Sequence, residues 1–123
     1  MIRQEQFFSW LDGLLSRRLP ANTAALCLNL YEDGRDTWSA ELIGTDCFDP
    51  EDSDWACNES FAFREELFRF NRQGGWEAAQ AAVAAALKDY LKRGSRAAVM
   101  KACQAVAAGF VDGDLEIIWT ASE

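Results

Sequence analysis

Apolar residues recur at three- and four-residue intervals near the start of the chain, where Phe7, Trp10, Leu11 and Leu14 form one stripe. That is the period of an amphipathic helix. The pattern predicts a helix from Ile2 to Arg18, with Arg17 and Arg18 at its negative end and Pro20 forbidding continuation. The period then falls to two. In "TAALCLNLY" Leu26, Leu28 and Leu30 share a face, and in "TWSAELIG" Trp38, Ala40 and Leu42 alternate with Ser39, Glu41 and Ile43. Two strands are expected, joined by the polar connection Glu32 to Asp36, which contains Gly34 as a hairpin loop would.

Residues 46–60 follow neither period and contain Pro50, so they are expected to form a loop. In "FAFREELFRF" the pairs Phe61 and Phe63, then Phe68 and Phe70, fit short strands. After Gly74-Gly75 a long helix is predicted through Arg93, its core stripe made of Trp76, Ala79, Val83, Leu87, Tyr90 and Leu91 and its end marked by Gly94. Ser95 is placed to cap a shorter helix reaching about Cys103. "AVAAGFV", Asp112-Gly113 and "DLEIIW" then make a final hairpin with a dipeptide suited to a type I′ turn. No repeat or low-complexity linker interrupts the chain. The expected fold class is α+β over 1–123 as a single domain: a mainly antiparallel sheet with an N-terminal helix and one long plus one short helix packed on one face.

Composition narrows the function classes. The chain has 123 residues, half of them apolar, and a net charge of −8. That is enough apolar content for a core without metal or disulfide staples. The first eighteen residues carry Glu5 and Asp12 and no signal-like apolar run, and the alanine-rich stretch 78–87 is too short to span a bilayer, so a cytoplasmic protein with no membrane association is expected. Cys27, Cys47, Cys57 and Cys103 include no C-x-x-C pair. Three disulfide pairings are open to them, and without an export signal free thiols are expected. The chain has no histidine, which removes the imidazole base of serine and cysteine nucleophiles and the commonest metal ligand. No glycine-rich phosphate motif is present, and the acidic balance disfavours direct contact with nucleic acid. The expectation is a protein without catalytic residues, cofactor or metal. A small carboxylate-based enzyme stays open as an alternative.

The charge is concentrated in one segment: residues 31–60 hold ten acidic side chains against Arg35 alone. Six of the acids lie in "TDCFDPEDSDWACNESF", residues 45–61. The run does not fit an EF-hand: a register starting at Asp49 puts Asp54 where glycine is required and Ser60 where the bidentate glutamate belongs. A solvated, solubilising loop is one reading. Phe48, Trp55 and Phe61 favour another, in which rings ringed by carboxylates recognise a basic protein partner. The candidate partner-binding residues are then Asp46, Asp49, Glu51, Asp52, Asp54, Trp55 and Glu59. Trp10, Trp38, Trp76 and Trp119 lie on periodic stripes and are expected in the core. Trp55 alone sits in the aperiodic run, which marks it as an anchor, with a plug that packs the loop onto the sheet as the alternative.

Several of these segments taken together, "YEDGRDTWSAELIGTDCFDPEDSDWACNESF", the helix from "WEAAQAAV" to "YLKRG", and "GFVDGDLEIIW", resemble small acidic bacterial immunity proteins of the kind encoded beside polymorphic or contact-dependent toxins. The resemblance spans roughly residues 30–120. It implies a cytoplasmic, non-enzymatic inhibitor that covers the active or substrate-binding surface of a basic toxin domain. It transfers no individual residue. The runner-up is a housekeeping or assembly protein that binds through its helical side, with the acidic loop only solubilising.

Overall fold

A computed structural model describes residues 2–110, 113 and 115–121. Among them are three α-helices, one 3-10 helix and six strands in one sheet, an α+β fold. Helix α1 spans Gln4–Leu15 and buries Phe7, Leu11, Leu14 and Leu15, with Trp10 half-buried at the edge of the stripe. It stops three residues short of the expected Arg18. The Ser16 hydroxyl donates to the Gly13 carbonyl at 2.7 Å, a local bond that competes with further helix. Arg17 is thereby released to pair with Glu66.

Strands β1 (Ala25–Gly34) and β2 (Thr37–Thr45) form an antiparallel hairpin tighter than expected: Gly34 faces Thr37 across the two residues Arg35 and Asp36. Asp36 takes the left-handed conformation at φ 58°, which aspartate tolerates better than most residues. The outer edge of β2 is shared. Strand β3 (Glu59–Ala62) pairs with one half and β4 (Phe68–Asn71) with the other. The Phe61 ring lies where a side chain on Gly44 would stand, so only glycine lets β3 close against β2. Beyond β1, strand β5 (Ala105–Phe110) runs parallel to it, and β6 (Leu115–Thr120) returns antiparallel as the far edge. The final hairpin is therefore present, while Asp112 of its proposed turn lies outside the described residues.

Helix α2 (Gly75–Arg93) and the short α3 (Ala97–Lys101) carry the chain from β4 back to β5. Gly74 and Gly75 both hold positive φ, at 106° and 83°, in the turn that launches α2. The three helices cover one face of the sheet, where Leu26, Leu28, Leu30, Trp38, Leu42, Phe68 and Val106 meet Phe7, Leu11, Val83, Leu87, Tyr90 and Met100. Two expectations for this region need correction. Trp76 is 50 % exposed: one residue into α2, it covers the core only at its margin, its ring edge-on to Phe110 at 6.2 Å. The buried stripe begins at Ala79 instead. Ser95 does not cap α3. Its hydroxyl donates to Asp12 at 2.8 Å, and Tyr90 donates to the same carboxylate at 2.6 Å, tying α1 to the α2–α3 junction.

Candidate functional site

Among the described residues, no α-helix covers the opposite face of the sheet. Its floor at one end is small and apolar, made of Ala25, Cys27, Ile43, Ala105 and Ala107, and the acidic loop folds over it. Side chains of the loop fix its path. Asp49 accepts from the Glu51 amide at 2.9 Å, and Asp52 accepts from the Asp54 amide at 3.0 Å, capping the 3-10 helix Ser53–Cys57. Such aspartate turns hold a chain without periodic hydrogen bonding. They aim Trp55 inward. It is 3 % exposed and meets Phe48 edge-on at 5.0 Å. Of the two readings of Trp55, anchor and plug, its burial favours the plug that seats the loop, because the small floor leaves room for a large side chain.

The six candidate carboxylates divide by role. Asp46, Asp49, Glu51, Asp52 and Asp54 are all exposed, although two of them also brace the loop. Glu59 is paired with Arg64. The structure brings these acids onto one side of the sheet, but no three Cys, Asp or Glu side chains among the described residues are grouped to hold a metal ion.

Where the loop ends, the same face continues as a cleft of about 580 Å³ with a mixed lining that includes Asn29, Tyr31, Ile43, Glu59, Arg64 and Leu115. Glu41 stands beside it, only 3 % exposed. Its carboxylate accepts from the Tyr31 hydroxyl at 2.7 Å and from Arg64 Nε at 3.2 Å. Arg64 also binds Glu59, so one guanidinium serves two carboxylates. A buried carboxylate needs such partners. Burial, then the hydrogen bond to Glu41, pushes the Tyr31 phenol up to about 12, so near neutrality it holds its proton and donates. Tyr31, Glu41 and Arg64 were not singled out from the sequence. The available signal was a glutamate inside the otherwise apolar strand "SAELIG", because charged residues are rarely buried without a partner.

No family model, curated protein or solved structure matches this chain with significance. Among the described residues, no helix is long and apolar enough to cross a membrane.

Proposed function

We propose that this protein is a non-enzymatic binding module that acts in the cytoplasm as an immunity protein, neutralising a basic toxin domain through its loop-covered face. The observation that carries this reading is the outward set Asp46, Asp49, Glu51, Asp52 and Asp54 on a loop held down by its own buried tryptophan. A plain solubilising loop has no need of a seated core. A braced loop presents its carboxylates at fixed positions, which favours steering and register with a cationic surface. Many surfaces that bind nucleic acid are cationic, and a fixed row of carboxylates can compete with phosphates for them. Trp55 then acts on binding indirectly, by holding the loop, and Glu59 lies at the margin with its charge shared by Arg64. The resemblance to small acidic immunity proteins points the same way.

The test is co-expression with the product of the reading frame next to its own. A stoichiometric complex and restored growth of the host are expected. A neighbouring product that is neither toxic nor bound by this chain contradicts the proposal. One observation favours the assembly reading instead: the half-exposed Trp76 against Phe110 offers an aromatic contact on the helical side. If that reading holds, Trp76→Ala weakens capture of a partner while the serine variants of the acidic loop leave it unchanged.

A further inference from the structure

We propose that Cys47 and Cys57 form an oxidisable thiol pair at the neck of the acidic loop, closing reversibly to a disulfide under a peroxide. The inference stands apart from the partner reading. The antiparallel ladder between β2 and β3 ends with Thr45 facing Glu59. Cys47 follows Thr45 by two residues and Cys57 precedes Glu59 by two, so the end of the ladder holds both cysteines at the neck of the loop. A disulfide there requires the two Cα atoms to come within about 4.4–6.8 Å.

A contact at the neck brings the two together. Asn58, the residue after Cys57, donates from Nδ2 to Cys47 Sγ at 3.2 Å, so the Cys47 thiol is turned toward the segment that carries Cys57. Cys47 is held by the Thr45 hydroxyl, which donates to its carbonyl at 2.9 Å, and Cys57 closes the 3-10 helix. Both thiols are exposed, whereas Cys27 and Cys103 are buried. Burial pushes the Cys27 thiol up to about 12 and also raises that of Cys103, leaving both poor nucleophiles. The chemistry is therefore confined to one pair of the four cysteines.

The step balances with hydrogen peroxide as oxidant. One thiol loses its proton, and its sulfur attacks a peroxide oxygen; an S–O bond forms, the O–O bond breaks, and water leaves. The second thiolate then attacks that sulfenic acid, forming S–S and expelling the oxygen as a second water. Two thiols are oxidised and one peroxide is reduced. The product ties both ends of the segment that carries Phe48, Asp49, Glu51, Asp52, Asp54 and Trp55. Such transient disulfides are the kind a reducing compartment permits.

The experiment exposes the full chain to a small excess of hydrogen peroxide and follows intact mass, non-reduced peptide maps and urea unfolding. The expected result is a mass lower by two hydrogens, a Cys47–Cys57 linked peptide, an unfolding midpoint at higher urea, and reversal of all three by dithiothreitol. Cys47→Ser and Cys57→Ser should each abolish the mass loss. Any of four outcomes overturns the proposal: the same mass loss in Cys47→Ser, a link to Cys27 or Cys103, covalent dimers, or separate oxygen additions at Cys47 and Cys57 with no link between them.

Discussion

The two faces of the sheet are covered by different means. Under the helices, large side chains pack between the layers and within the helical one: Phe7 of α1 meets Phe68 of β4 edge-on at 5.3 Å, and Phe8 of α1 meets Tyr90 of α2 at 5.0 Å. Under the acidic loop the sheet contributes mostly alanine and cysteine, and a single indole fills the space above them. One cover is redundant and spread over three helices; the other hangs on Trp55 and Phe48. The contrast shows how a segment so rich in carboxylates can be an ordered layer: its charges point out because a few inward rings and aspartate turns fix its path.

Four substitutions break or sharpen that contrast, from the largest effect to the smallest. Phe7→Ala should destabilise the fold by about 3–5 kcal/mol in a denaturant melt, as expected for a buried phenylalanine in a rigid interior. Trp55→Ala should cost about 3 kcal/mol, at the low end of the range because a loop settles onto a small-residue floor more readily than a helix does. Its amide-exchange signature should also differ, with protection lost over residues 46–58 and kept on the helices. If Trp55→Ala melts like the parent, the loop is not a folded layer.

The remaining two probe the margins. Tyr31→Phe removes the hydroxyl from Glu41 and should cost about 0.5–1 kcal/mol, discounted because the side chain is partly solvated. Since the folded protein holds the Tyr31 proton up to about 12 and an unfolded tyrosine releases it near 10, the folded state binds more protons in that window. Stability from this group is therefore complete below pH 10 and is lost as pH rises toward 12; the alkaline decline should be shallower in Tyr31→Phe. Trp76→Ala, on the helical side but half in solvent, should change stability by less than about 1 kcal/mol.

Periodicity made the helical side legible. The stripes of α1 and α2, the hairpin of β1 and β2, and the short strands on either side of residue 65 were all visible as switches between a period near 3.6 and a period of two. Trp76 misled because a stripe position at the first turn of a helix can touch the sheet, as its ring touches Phe110, and still stay half exposed. The loop-covered face was harder to see, since Trp55 is brought inward by aspartate turns that leave no periodic trace. A signal was nonetheless present in the strands. Ala25 and Cys27, like Ala105 and Ala107, are apolar on the side away from the leucines, and a central strand apolar on both sides is covered on both. Farther along β1 the same positions become Asn29 and Tyr31, which marks where the loop ends and the cleft begins.

The central claim is that the braced carboxylates of the loop receive a basic partner. It is tested most directly by the salt dependence of the association rate, measured for the parent and for a variant with Asp49, Glu51, Asp52 and Asp54 all changed to serine. Asp49 and Asp52 brace the loop, so serine is chosen because its hydroxyl still accepts from the backbone in such turns. Association should slow, and its fall with rising salt should flatten, because steering scales with charge. An unchanged rate and an unchanged salt slope would contradict the account.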